Sequence, residues 1–280
     1  MLICILWYLL HRSEKKCTKK KTESFYVSKN KVKDTKNTKN DFYKKVNGIS
    51  YIAWINLDRS RERREHMEEI LAHISVPNIR IQAVDGTVED LETYFVNIDE
   101  RPRLTGSEIG CTLSHLKAIH TLKEMPGEYF LILEDDVQFD NMNLISYDFK
   151  EIIEMAPKSF DILQIFTLRP NEQPFLYSKW ILGHNWSTGA YIITRAGIDK
   201  MVKRYPMREG VFLFPSSELK GADTFIYENV NTYTFKYNCL DALEKESTIH
   251  SGHLDKHRSA NFVQREILKR DFGHIVAFKI

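Results

Sequence analysis

The chain has 280 residues, 42% apolar and 28% charged, ordinary proportions for a globular protein able to bury a sizeable core; nothing in it repeats as a fibre or solenoid would. A net charge of +2 conceals an asymmetry: residues 11–45 hold 13 Lys/Arg against 4 Asp/Glu and residues 46–280 hold 27 against 34, so a basic tail precedes an acidic body. Cys4, Cys17, Cys111 and Cys239 lie far apart with no Cys-x-x-Cys pair, which argues against a zinc knuckle or a disulfide framework.

Residues 1–10 are wholly apolar but about half the roughly 20 residues that a spanning helix needs. Positive charge follows them instead of preceding them, and no small-residue cleavage site is present, so they do not read as a signal peptide. The expectation is a membrane-surface association through residues 1–21, with Trp7 and Tyr8 at the interface and Lys15, Lys16, Lys19, Lys20 and Lys21 on anionic lipid. Residues 11–47 read as a basic, disordered linker, since Lys, Asn, Thr and Ser cannot bury enough surface to offset the entropy of ordering. A nucleic-acid arm is not expected, because no Arg-rich or aromatic pattern accompanies the charge.

The folded unit is expected over 48–280. Ile49 to Leu57 reads as a strand, and Ser60 as the N-cap of a helix with Met67, Ile70, Leu71 and Ile74 at i, i+3, i+4 and i+7. Asn56 and Asp58 then lie at a strand's C-terminal end, where open α/β sheets bind ligands, and Arg63 and Arg64 lie in the first turns of the helix, either at that site or on a solvated face. Asn78 to Val84 is a second strand, closed by Asp85-Gly86, with Asp85 a turn residue or a ribose ligand. Thr105-Gly-Ser-Glu108 has the form of a capping box and opens an apolar helix in which Cys111, His115, Ala118 and Leu122 share a face; on burial habits alone His115 is a core residue.

Tyr129 to Leu133 is too short for a helix and reads as a buried strand, running directly into Glu134-Asp135-Asp136. Three adjacent carboxylates repel unless solvent, a cation or basic groups offset them, and hard oxygen ligands of this kind suit Mg²⁺ or Mn²⁺ carrying a substrate phosphate. An acidic loop in water is the plain alternative. Ser159 to Phe166 and Trp186 to Thr194 are further strands, and Gly189, early in the second, marks close approach of a ligand or another backbone. Arg195 to Tyr205 reads as a short helix, and Tyr233 to Tyr237 as a last strand. Asp223 starts another helix, either as its cap or as a carboxylate aimed at the site. His250, His253 and His257 are expected in a polar loop, at spacings that permit metal binding.

Taken in order, Ile55-Asn-Leu-Asp-Arg-Ser60 with Arg63-Arg64 and Met67, Ala83-Val-Asp-Gly86, Leu104-Thr-Gly-Ser-Glu-Ile-Gly-Cys-Thr-Leu-Ser-His115, Leu133-Glu-Asp-Asp136 and Thr188-Gly-Ala-Tyr-Ile-Ile193 resemble glycosyltransferase family 25, which holds lipooligosaccharide and procollagen galactosyltransferases. The resemblance runs from about residue 49 to about 230. It implies an α/β fold, a single GT-A type nucleotide-sugar-binding domain with a mostly parallel sheet flanked by helices. It also implies a UDP-sugar donor, a divalent cation (Mn²⁺ or Mg²⁺) and inversion at the anomeric carbon, with galactose transferred ahead of glucose to a glycan or a hydroxylysine-type protein acceptor. Glu134-Asp135-Asp136 would then fill the place of the family's metal motif: Asp136 is the direct ligand, with Glu134 or Asp135 on the metal, its water or the ribose. Asn56, Arg63, Arg64 and Asp85 would line the uridine and diphosphate side, joined by His115 and Gly189, and Asp223 would be the base.

After Asp223 the chain follows the family less closely, and Ser247 to Asp255 is rich in His. Two other readings stand beside the transferase: a family relative without transfer activity that serves as a binding or adhesion module, and a metal-dependent phosphohydrolase. The second leaves the Gly-Cys-Thr-Leu-Ser-His segment unexplained.

Overall fold

A computed structural model of the chain describes residues 42–97, 103–170, 175–243 and 254–276. The expected surface anchor over residues 1–21, most of the basic linker, and His250 and His253 lie outside the described residues. Among the described residues no helix is long and apolar enough to cross a membrane.

The strands, in chain order, are β1 Tyr51–Asn56, β2 Asn78–Gln82, β3 Phe95–Asn97, β4 Tyr129–Glu134, β5 Val137–Gln138, β6 Ile162–Gln164, β7 Tyr177–Lys179, β8 Ala190–Thr194, β9 Met207–Arg208, β10 Val211–Pro215, β11 Thr232–Phe235 and β12 Asp241–Ala242. The α-helices are α1 Arg61–Leu71, α2 Gly106–Lys123, α3 Phe149–Met155, α4 Arg195–Arg204, α5 Ala222–Tyr227 and α6 Leu254–Val276. Seven strands form the main sheet in the order β2-β1-β4-β8-β6-β11-β7. Five point one way; β8 and β7 are reversed, so the sheet is mostly parallel, as expected, but with an antiparallel strand at its middle.

The continuous apolar runs explain this layering. A strand covered on both faces has no reason to alternate polar and apolar residues. Phe130, Leu131, Ile132 and Leu133 are all fully buried. Phe130 and Ile132 join Ala53, Ile55, Tyr191 and Ile193 on the face packed by α2 and α4. Leu131 and Leu133 join Ile52, Trp54 and Ile192 on the opposite face, covered by Met67 and Leu71 of α1, Ile152 of α3 and Leu268 of α6.

Helix α2 carries the expected capping box: Thr105 accepts from the Glu108 backbone N–H while Glu108 reaches back to Thr105. Its start is pressed against the end of β2. A Cβ on Gly86 would lie 1.7 Å from the Gly106 carbonyl oxygen, one on Gly106 would lie 2.0 Å from that of Gly86, and one on Gly110 would lie 2.5 Å from that of Val84. Only glycines permit this backbone-to-backbone approach, which brings Cys111 and His115 to the sheet edge. The 86–88 turn forms as expected, and Asp85 accepts from the Thr87 N–H.

Three expectations are corrected. The end of the expected disordered linker is folded: Phe42–Val46 form a short 3-10 helix whose Phe42 and Val46 are buried in the core, because these two apolar side chains pack beside Phe139. Helix α6 occupies the C-terminal stretch expected as a polar loop, so His257 is helical. The buried positions His257, Ala260, Asn261, Gln264, Ile267, Leu268 and Phe272 do have helical spacing, but three of them are polar, and apolar periodicity alone does not reveal them. The cap of α5 is Gly221, not Asp223, which sits one residue inside the helix.

Candidate active site

Strand register sets the site. Glu134 lies opposite Ile55 on one side, and on the other its N–H donates to the Gly189 carbonyl at 2.9 Å. The C-terminal ends of β1 and β4 therefore meet the N-terminal end of the reversed β8. Two clefts open there, both lined by Glu134 and Cys111.

The first cleft is walled by Asn56, Arg59, Arg63, Asp85, Gly86 and His115, together with Asp135. Its polar groups are largely paired with one another. Asp135 is buried and accepts from the Asn56 amide at 2.6 Å and from the Arg63 guanidinium at 3.0 Å. Asn56 also donates to the Ser60 carbonyl at 3.1 Å and accepts from Arg80 at 2.9 Å. Burial raises the pKa of Asp135, opposed by Arg63 and Asn56. Asp85 forms an ion pair with Arg59.

The second cleft, about 360 Å³, is lined by Glu134, Asp136, Phe166, Trp186, Thr188, Gly189, Asp223 and His257. Among the described residues the basic group paired with Asp136 is Arg63, at 3.2 Å. Burial, then the charge of Glu134, push its carboxyl up to about 7 against the pull of Arg63. For Glu134 burial acts upward as well, but the approach of His115, the Thr188 hydroxyl at 2.8 Å and the charge of Arg63 together hold it below the usual glutamate value. Asp223 accepts from the Thr224 N–H at 2.7 Å, which fixes its carboxylate at the first turn of α5. The Trp186 ring is partly exposed, with the Arg169 guanidinium 4.8 Å and the Lys256 ammonium 5.9 Å from its centroid.

The expected residues therefore separate. Asn56, Arg63, Asp85, His115, Glu134 and Asp135 line the first cleft, and Asp136, Gly189 and Asp223 line the second with Glu134. Arg64 is not brought to either: it is exposed and pairs with Glu68 one turn on, so its side chain belongs to the solvated face. Gly189 makes room for a side chain, since a Cβ there would lie 2.9 Å from the Phe166 ring. Asp135 faces the first cleft with its oxygens held by Asn56 and Arg63.

Several lining residues were not singled out from sequence. Thr188 sits inside a quoted motif, Arg59 in another, and Cys111 on the face shared with His115; Trp186 carried no local signal that set it apart, and His257, expected among loop histidines spaced for a metal, lines the second cleft from α6. Burial lowers the His257 pKa, opposed by the backbone of Leu243. Burial, with Glu134 and Asp223 nearby, raises that of the Cys111 thiol well above its ordinary value.

Residues 49–211 match the family model described as "Glycosyltransferase family 25 (LPS biosynthesis protein)". The chain is 29% identical over 185 residues to the human protein named procollagen galactosyltransferase 2, covering 57% of this chain and 28% of that one. It is 26% identical over 184 residues to a glycosyltransferase 25 family member of Drosophila pseudoobscura pseudoobscura, covering 58% and 28%. It is 25% identical over 177 residues to the human protein named inactive glycosyltransferase 25 family member 3, covering 58% and 30%. The chain thus spans under a third of the length of each of these relatives.

Proposed function

Because this chain belongs to glycosyltransferase family 25, we propose that it is an inverting, metal-dependent glycosyltransferase that moves a hexose, galactose ahead of glucose, from a UDP-sugar to a hydroxyl of a glycan or protein acceptor. The observation that carries this reading is the meeting of two clefts at Glu134, one walled by Asn56, Arg63 and Asp85, the other holding Asp136 and Asp223.

The nucleotide docks against the first cleft, whose free volume of about 60 Å³ takes only part of it, so the rest of the donor runs past Glu134 toward the larger second cleft. The first cleft's Asn56–Asp135–Arg63 network is already formed, so little ordering is left for binding to supply. The acceptor belongs in the second, whose volume is in the range of about 300–1,000 Å³ typical of ligand sites. There the exposed side of Trp186 offers an aromatic platform to a sugar ring.

Glu134 and Asp136 fit a divalent cation: they offer hard oxygen donors, and the proton that Asp136 retains up to about 7 reflects buried negative charge that a cation would offset. Bound there, Mn²⁺ or Mg²⁺ would supply positive charge against the diphosphate as it leaves. Arg63, buried beside both aspartates, adds charge of the same sign. Asp223 takes the proton of the acceptor hydroxyl as that oxygen attacks the anomeric carbon from the face opposite the leaving group. One displacement inverts the centre, with no covalent nucleophile required.

The family relative named inactive supports a second reading, a binding module without transfer. The clustering of Glu134, Asp136 and Asp223 around one cleft weighs against it. The full chain, incubated with a panel of UDP-sugars, Mn²⁺ and an acceptor array, should release UDP fastest with UDP-galactose and only when an acceptor is present. UDP release from no donor would favour the binding module, and release of phosphate from simple esters would favour a phosphohydrolase.

A further inference from the structure

Cys111, His115 and Glu134 bring a sulfur, an imidazole nitrogen and a carboxylate oxygen within 4.8 Å of one another. Cys111 and His115 lie one helical turn apart on the same face of α2, and Glu134 closes the group from the end of β4. His115 is fully buried. Its Nδ1 meets the Tyr191 hydroxyl at 3.1 Å, while Nε2 has no hydrogen-bond partner and points at Glu134 Oε1, 3.4 Å away. With the ring proton on Nδ1, toward Tyr191, Nε2 turns a bare lone pair to the Glu134 carboxylate, which costs free energy unless a proton or a cation lies between them.

We propose that Cys111, His115 and Glu134 form a site for a thiophilic divalent cation of the Zn²⁺ class, distinct from the oxygen-only pair of Glu134 and Asp136. A thiolate and an imidazole select zinc-like ions over Mn²⁺ or Mg²⁺. Three protein ligands leave a fourth position open, and Cys111 and Glu134 face both clefts, through which an ion and its remaining water enter. Bonds of about 2.0–2.3 Å in tetrahedral geometry set the ligand atoms about 3.6 Å apart, so the widest pair must draw in by about 1.2 Å at most. The thiol proton leaves to solvent as the metal–sulfur bond forms. Tyr191 acts behind the site: it is fully buried, its ring packs edge-on against Tyr227 at 5.7 Å, and its hydroxyl fixes which nitrogen of His115 faces the ion.

Glu134 is common to this group and to the cation pair of the proposed transfer reaction. On that reading, which this consequence alone depends on, a zinc-like ion withdraws a carboxylate from the donor's cation and inhibits transfer.

The test is titration of the reduced full-length chain with Co²⁺, followed by the thiolate-to-cobalt charge-transfer absorption and by the strong visible bands of low-coordinate Co²⁺. Wild-type protein should show both, and Zn²⁺ should displace them. Cys111→Ser should lose the charge-transfer band while unfolding at an unchanged temperature, and Tyr191→Phe should weaken Co²⁺ binding about tenfold or more. Asp136→Asn should keep the band. Its absence in the wild type, or its persistence in Cys111→Ser through another of the four cysteines, would overturn the site. In a second arm, Mn²⁺-dependent UDP release should fall by half at the Zn²⁺ concentration that half-fills the site, as the Zn²⁺ affinity obtained from the Co²⁺ competition gives it; undiminished turnover in zinc-saturated protein would overturn the sharing of Glu134. The absorption arm reads the metal site even in a protein that transfers no sugar, so the two failures are separable.

Discussion

Asp135 and Asp136 are neighbours in the chain, yet they belong to different kinds of surface. Asp135 faces a cleft in which most polar groups meet another at hydrogen-bond distance, His115 Nε2 being an exception, and its two oxygens are held by Asn56 and Arg63. Asp136 faces a cleft shared with Glu134 and Asp223, where among the described residues the Arg63 guanidinium answers several carboxylates and the Asp136 carboxyl is pushed up to about 7. The first region is preorganised and the second is short of positive charge. A pocket of the first kind holds a ligand's shape, whereas one of the second kind is where the proposed cation would offset charge.

The largest effect should come from the charge-poor side. Asp136→Asn should lower UDP release by about 10²–10³ or more, as loss of a group that supports the leaving charge does, while thermal unfolding stays at or above the wild-type temperature because a buried carboxylate has been removed. Near-wild-type turnover would erase the distinction between the two aspartates. On the preorganised side, Arg63→Ala should instead destabilise the fold by about 3–5 kcal/mol in urea unfolding, since it strands Asp135 without its guanidinium. A loss below about 1 kcal/mol would mean that Asn56 alone suffices.

Next in size is the close approach of α2 to the end of β2. Gly86→Ala sets a methyl against the Gly106 carbonyl, and should cost about 1–3 kcal/mol in the same measurement while weakening nucleotide binding, because the walls of the first cleft move with the helix.

A smaller effect follows from pH. The folded-state pKa of Asp136 lies above that of an ordinary aspartate, so its protonated form is favoured by folding. In metal-free protein that contribution is fully present below about pH 4 and is lost as pH rises toward about 7. The difference in unfolding temperature between wild type and Asp136→Asn should therefore widen across that window, and Mn²⁺ should narrow it at pH 7. A constant difference would show that Asp136 titrates normally. Smallest of all, Arg64→Ala should change stability by no more than about 0.3–0.5 kcal/mol and leave UDP release as it was, since its exposed pair with Glu68 touches neither cleft.

Much of the scaffold was legible in the residues. The strand ending at Glu134, the opening strand and helix, and the Thr105–Glu108 capping box all depend on neighbours within a few positions. Local rules govern such features, and they carried through. Helix α6 was not legible, because His257, Asn261 and Gln264 occupy inward positions that a search for apolar spacing passes over; Asn261 is there to bond both backbone groups of Ala242. Arg63 and Arg64 looked alike as text. On a helix they stand about 100° apart, and only the position of β4 beside α1 decides which of them meets an aspartate.

By itself the sequence determined that an acidic strand end would exist and that an α/β sheet would carry it, since short apolar runs, caps and turn residues act over one turn or one strand. Tertiary structure decided the rest. Reversal of β8 between β4 and β6 placed Thr188 and Gly189 against Glu134, and the three glycines seated Cys111 and His115 beside it. How each carboxylate is paired follows from partners 54 to 79 positions away in the chain, Thr188, Arg63 and Asn56 among them, and no local spacing encodes that.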